Sequence, residues 1–158
     1  MITTGGTNSP AIAALLQGGA GGPYNAIFGV SNAGSAGNGG GTGDLAITLT
    51  GTPSAPIQLT TTGGASPGVV AITAGGPGGT GGDLNSTLGG GVAESGGNGG
   101  AGGNIAVKIT ATSIQTSGDN SSGIFARSVG ALGATVARPT VSLPAQEVRE
   151  APAARPGT

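Results

Sequence analysis

Six acidic and five basic side chains are the whole stock of charge in this 158-residue chain, which has no His and no Cys. Without an imidazole or a thiol, the commonest general base and the readiest nucleophile are both missing. Asp44, Asp83, Glu94 and Asp119 are the acids that precede the C-terminal stretch, and they are scattered over separate Gly-rich segments. No spacing among them places two carboxylates on one element. Asp44 and Asp83 each follow glycine triplets and precede Leu, which suits a turn or the entry to a strand. Gly78–Asp83 (GGTGGD) approaches the calcium-binding pattern G-G-x-G-x-D-x-U-x, but Asn85 stands where the aliphatic residue belongs and no tandem copies follow. No glycine run leads into G-K-[ST], so no phosphate loop is expected. Asp119-Asn120-Ser121 reads as a polar corner of the Asx type. The expectation is therefore a chain that is not an enzyme, with no catalytic residue, no metal site and no cofactor.

The same inventory narrows the partners. Lys108 and Arg127 are the only basic residues before Arg138, too few to track a nucleic-acid backbone. No apolar run has the length of a membrane span. Ala11–Leu16 (AIAALL) is short and lacks a basic flank, so no signal peptide is expected. The absence of Cys fits an exposed, extracellular life.

The elements that position these residues must be built from unusual material. There are 37 Gly and only 2% aromatic residues, with the 35% hydrophobic share carried largely by Ala. Such a chain buries little area per residue, and each ordered Gly costs more entropy than other residues. Disorder is the first alternative. Against it stand a net charge of only −1 and a positive mean hydropathy of +0.17. The apolar residues are also patterned.

Ile2–Gly19, Leu59–Gly76 and Ile114–Ala131 align without gaps at spacings of 57 and then 55 residues. Each copy opens on an aliphatic residue, has Gly at its fifth position (Gly6, Gly63, Gly118) and has Ser before the second apolar segment (Ser9, Ser66, Ser121). Each continues with Ile12, Val69 or Ile124, and then Ala two residues later. A further unit matches Asp44–Thr50 to Asn104–Thr110. In it Leu45, Ile47 and Leu49 alternate with Ala and Thr, as do Ile105, Val107 and Ile109 with Ala, Lys and Thr. A period of two in β-branched residues marks a strand with one buried face. Ala11–Leu16 is too short for a helix before Gly18-Gly19 and reads as a strand. Gly, Asn, Asp and Pro punctuate the corners, where positive or fixed φ is expected. Three short strands per repeat, turning through corners, predict an all-β chain: a parallel β-solenoid.

Two long inserts interrupt this pattern, at about residues 18–43 and 75–103. Gly recurs in them in triplets: GGA-GGP at Gly18–Pro23, GGP-GGT-GGD at Gly75–Asp83 and GGN-GGA-GGN at Gly96–Asn104, with a degraded AGN-GGG-TGD at Ala36–Asp44. Period three is that of a polyproline-II-like helix, and two Gly per turn allow close packing. Each insert is expected to run out along one such segment and back along another. Nine residues at about 3.1 Å each make an arm of roughly 28 Å. At the tips, Tyr24, Ile27 and Phe28 face Leu84 and Leu88 as candidate residues for binding, or for packing one tip on the other.

Residues Gly96–Gly130, GGNGGAGGNIAVKITATSIQTSGDNSSGIFARSVG, resemble the repeat of glycine-rich passenger regions of bacterial autotransporter proteins. In those regions a Gly-rich run precedes a Val/Ile-Thr strand and an I-x-T-x-G-D-N-S-x-G-I-x-A-x-S-x-G-G segment. The match is closest at Ile114–Gly130 and looser at Leu59–Gly76 and Ile2–Gly19. The resemblance implies a β-helical stalk or adhesin, extracellular or on a bacterial cell surface. The triplets alone also resemble those of mycobacterial PE-PGRS proteins.

The domain reading is a repeat unit over 1–135 and a Pro-rich extended tail or linker over 136–158. With nothing after Gly133 to cover the last repeat, Ile114, Ile124 and Phe125 are expected to form an open stacking end. The expected function is a structural or adhesive surface protein, or a fibre subunit that stacks through open ends on itself or within a longer stalk. The alternative is a receptor-binding module of the tail-fibre kind, or an ice-binding one, that presents the arms and their tips to a surface glycan or protein.

Overall fold

The computed structural model describes residues 1–24, 34–82 and 95–134, together with the backbone of the short strands at 27–28, 84–86 and 140–141. The described chain is all-β, without a helix, and every pairing between its named strands is parallel. The strands are β1 (Ile2–Thr4), β2 (Ile12–Gln17), β3 (Ile27–Phe28), β4 (Leu45–Thr50), β5 (Ile57–Thr61), β6 (Val69–Ala74), β7 (Leu84–Ser86), β8 (Ile105–Thr110), β9 (Thr112–Thr116), β10 (Ile124–Val129) and β11 (Thr140–Val141). Three sheets have three strands each, in the orders β1-β5-β9, β2-β6-β10 and β3-β7-β11, and β4 pairs with β8 in a fourth.

The pairing register is the one that the repeat alignment predicts. Ile2 faces Leu59 and Leu59 faces Ile114; Ile12 faces Val69 and Val69 faces Ile124. Leu45 faces Ile105, as the matched strand units require. Like residues therefore stack on like, and the small or β-branched side chains that alternate along each strand share one face. Ala11–Leu16 falls largely within β2, as expected.

Position in the stack decides burial. The middle repeat holds the core: Leu59, Val69 and Ala71 are fully buried, and so are Thr61, Ser66 and Thr73. Their counterparts in the outer repeats have a neighbour on one side only, and Ile2 and Ile124 are 42% and 41% exposed. Buried hydroxyls are hydrogen-bonded, as burial demands. Thr61 Oγ1 donates to the Ser66 carbonyl (2.6 Å) and Thr73 Oγ1 to the Gly103 carbonyl (2.8 Å).

The corners meet expectation at Asn8 and Asn120 and depart from it at Ala65 and Ala111. Residues with φ in the left-handed region are Asn8 (53°), Ala65 (51°), Asn120 (55°) and Ala111 (45°). None of the glycines whose surroundings are described has such a φ. Asn tolerates this conformation through its short polar side chain, whereas Ala bears the steric cost. The corner expected at ATS shrinks to Ala111, because β9 begins at Thr112. Its counterpart Gly51–Pro56 is longer and folds on itself, with Thr52 and Ala55 exchanging backbone hydrogen bonds of 3.2 and 3.0 Å.

The glycine segments bond to one another every third residue. In Gly75–Thr80, Gly75 and Gly78 donate to the Val129 and Leu132 carbonyls of the next repeat (2.9 and 3.4 Å). Gly76 and Gly79 donate to Gly40 and Gly37 (2.9 Å each) and accept from Gly100 and Gly97 (2.8 Å each). The carbonyls of Ala74, Pro77 and Thr80 accept from Gly18, Gly21 and Tyr24 of the preceding repeat (2.8, 2.8 and 3.1 Å). Pro is tolerated in this third phase because no N–H is needed there. Outgoing and returning segments also bond antiparallel within each insert, Gly40 to Gly19 (2.8 Å) and Gly37 to Gly22 (3.0 Å). The glycines are required by proximity: a Cβ on Gly76 would overlap the Gly19 carbonyl, and one on Gly100 the Gly40 carbonyl.

Two features lie beyond the three-strand repeat read from the sequence. The insert tips add β3 and β7, paired with each other, and β11 falls inside the stretch read as a tail, where Thr140 and Val141 pair with Asn85 and Ser86. Residues 142–158 lie outside the described residues.

A contrast of two alanine substitutions checks this packing. Gly76→Ala is expected to destabilise by about 1–3 kcal/mol through overpacking. Gly19→Ala, at the matching position with nothing within 4 Å of the added methyl, is expected to be neutral or stabilising by about 0.4–1 kcal/mol. Urea denaturation of both variants at monomer concentrations measures the difference, and equal effects contradict the stacking described.

Candidate functional site

Three features of the described surface offer something to a partner: the corner ladder, the groove beside it, and the two outer faces of the stack.

The corner ladder runs through Ser9, Ser66 and Ser121, which occupy the same place in successive repeats. Ser66 Oγ accepts the Ser9 N–H (3.0 Å) and donates to the Gly6 and Gly64 carbonyls (2.8 and 3.1 Å). Ser121 Oγ repeats this one layer on, accepting from Ser66 N–H (2.9 Å) and donating to the Gly63 carbonyl (3.0 Å). Behind them Thr4, Thr61 and Thr116 each donate to the carbonyl of the Ser five residues ahead (2.7, 2.6 and 2.9 Å). Ser66 and Ser121 thus each tie their own repeat to the one before it. The sequence carries the signal for this, since Ser holds the same position in all three copies, but the turn reading assigned it to local geometry. The Asp119 carboxylate makes no hydrogen bond among the described residues; its carbonyl accepts the Ala65 N–H (2.7 Å). The corner is therefore held by Ser121 and left-handed Asn120, in place of the expected Asx turn.

Outside the ladder lies a groove of about 440 Å³, lined among others by Asn8, Asn120, Pro10, Pro67, Val70 and Phe125. Phe125 points outward into it, as the alternation along β10 predicts, and is 41% exposed. Apolar walls with a few amide groups are the usual make-up of small-ligand sites.

The remaining sequence candidates separate into tips and ends. Tyr24 is 42% exposed and donates its N–H to Thr80 (3.1 Å), and its ring lies against Gly34 on the returning side of the same insert. Ile27 and Leu84 are register partners in β3 and β7, and Phe28 pairs with Asn85; the side chains of these residues, and Leu88 altogether, lie outside the described residues. Ile114 is half-buried and Ile124 exposed at the third-repeat face. Asp44 Oδ1 accepts the N–H and side-chain amide of Asn104 (3.0 and 3.1 Å), a strand-entry role that joins the two returning segments. Asp83 and Glu94 lie outside the described residues. Among the described residues no group of His, Cys, Asp and Glu is placed to hold a metal ion, and no helix is long and apolar enough to cross a membrane.

No family model, no curated protein and no solved structure matches this chain.

The ladder makes a direct prediction. Ser66→Ala removes a fully buried hydroxyl and leaves the part-buried Ser9 N–H and Gly6 carbonyl without their partner, so it is expected to cost about 1–3 kcal/mol. Ser9→Ala should cost less, since the Ser9 hydroxyl has only the Thr7 carbonyl (3.2 Å) as partner. Equilibrium unfolding of the two variants distinguishes a structural ladder from incidental surface contacts.

Proposed function

We propose that this chain is a structural, non-catalytic element of an extracellular surface stalk or fibre. In this reading the stacked repeats are turns of a parallel β-solenoid, and the paired glycine segments are polyproline-II-like arms packed side by side. The observation that carries it is the constancy of register from repeat to repeat, with aliphatic residues on aliphatic ones at Ile2, Leu59 and Ile114 and at Ile12, Val69 and Ile124. Such a stack extends by adding repeats, and its rigidity comes from backbone hydrogen bonds along the stack axis. A surface location rests on the resemblance to autotransporter passenger repeats.

An antibody raised against the purified chain tests this. It is expected to label intact source cells without permeabilisation. Labelling that appears only after lysis would remove the surface role.

A second reading, adhesion to a small ligand such as a surface glycan, is favoured by the groove at Phe125 with its two Asn side chains. Glycan-array binding by the chain, lost in Phe125→Ala with the fold intact, is its expected signature. Binding unaffected by that substitution would move the contact elsewhere.

A further inference from the structure

The two outer faces of the stack differ, and the difference is systematic. Between adjacent repeats, bonds run in fixed directions. The earlier repeat gives N–H groups at Ser9, Gly18 and Gly21 to the Ser66 hydroxyl and to the carbonyls of Ala74 and Pro77. The later repeat returns the Ser66 hydroxyl to the Gly6 carbonyl and the Thr62 N–H to the Thr4 carbonyl. The same exchange recurs between the second and third repeats, through Ser66, Gly75 and Gly78 in one direction and Ser121 and Ser117 in the other.

The third-repeat face therefore ends in N–H groups at Ser121, Gly130 and Gly133 that have no partner among the described residues, beside the carbonyls of Thr116 and Gly118. The first-repeat face ends in their complements: the Ser9 hydroxyl, the carbonyls of Gln17 and Ala20, and the Gly5 N–H.

A second observation comes from the glycines. In the second repeat, Gly76 and Gly79 are crowded by the carbonyls of Gly19 and Gly22 in the repeat before. Gly19 and Gly22 occupy the equivalent positions in the first repeat, yet nothing lies within 4 Å of where their Cβ atoms would be. Glycine costs stability where no contact demands it. The first face keeps the clearance that an incoming carbonyl needs, although no described residue supplies one.

We propose that the first-repeat face of one chain docks on the third-repeat face of a second copy, head to tail, in the register that joins repeats within the chain. This proposal deepens the stalk reading and rests on it. Ser121 N–H of one copy then donates to the Ser9 hydroxyl of the next, and that hydroxyl donates to the Gly118 carbonyl. The carbonyls of Ala131 and Ala134 fill the space at Gly19 and Gly22. Along the sheet edge β10 meets β2, so that bulky Phe125 stands beside small Ala13 and the aliphatic stem of Arg127 covers Leu15, which is 65% exposed in the single chain. The third-repeat face is matched to the first by size as well as by hydrogen bonding, which favours a second copy over an unrelated strand.

Sedimentation velocity and negative-stain electron microscopy of the full chain test this. The wild-type chain is expected to assemble as concentration rises, into rods of one subunit's width. Gly19→Ala combined with Gly22→Ala is expected to weaken association about tenfold or more while leaving the melting temperature of the monomer unchanged or raised. Ile124→Lys blocks the opposite face. Mixed together, the two blocked chains should form a one-to-one dimer and stop, because each retains one good end. A wild-type chain that stays monomeric, a glycine variant that assembles as well as wild type, or blocked chains that do not combine would each overturn the proposal. A monomeric chain that still labels intact cells would separate this failure from failure of the stalk reading.

Discussion

Backbone must approach backbone throughout this protein, and the rest of the structure follows from how each part of the chain permits it. Parallel neighbours in a sheet lie about 4.8 Å apart. A strand meets that spacing with side chains as large as Leu59, because its Cβ atoms leave the plane of the ladder. A glycine segment surrounded on several sides cannot, since two of every three residues aim at a neighbour's carbonyl. Gly75, Gly76 and Gly79 are buried while Pro77 and Thr80 are exposed, so the third residue of the triplet faces solvent. The triplet is thus a record of how many neighbours surround the segment.

This arrangement explains how a chain with two Phe, one Tyr and no Trp holds a buried middle repeat. Apolar burial supplies part, through Leu59, Val69 and Ala71. Hydrogen bonds between repeats supply a share that aromatic packing supplies elsewhere. Each contributes only about 0.5–1.5 kcal/mol net, so the gain lies in their number and in leaving no buried group unpaired. Thr61, Ser66 and Thr73 illustrate the second condition, each fully buried and each with a partner in reach.

The register was legible in the sequence because aliphatic residues stack at fixed offsets: aligning Ile2, Leu59 and Ile114 is the same operation as pairing them. Less could be read where neighbours are distant along the chain. The triplets announce a three-residue period, but nothing in them says that Gly76 bonds to Gly40 on one side and to Gly100 on the other. The corners are legible only in part for a related reason. Asn8 and Asn120 take the left-handed turn as their residue type suggests, whereas Ala65 takes it without such a signal and Gly63 and Gly118 serve close approach. A left-handed φ and a close approach both favour Gly near a corner, and only the position of the next repeat tells them apart. At the tips, Tyr24 was a candidate for contact with another molecule or the other tip, yet its ring lies on Gly34 of its own insert.

Directional bonding has a last consequence for how such a stack can end. Through the glycine segments one chain of bonds runs from Ala131 N–H to the Gly100 carbonyl, from Gly100 to Gly76, from Gly76 to Gly40 and from Gly40 to Gly19, always from later segment to earlier. A second runs alongside it from Ala134 through Gly97, Gly79 and Gly37 to Gly22. Aligned amide dipoles reinforce one another along such rows. They also leave donors at one extremity, at Gly19 and Gly22, and acceptors at the other. No single capping chemistry serves both ends: the first repeat requires carbonyls and the third requires N–H groups in these rows, while neighbouring residues of the same segments, the carbonyls of Gln17 and Ala20 and the N–H groups of Gly130 and Gly133, require the reverse. A cover for either face must therefore carry the alternating pattern of a repeat, which makes another repeat the simplest cover available.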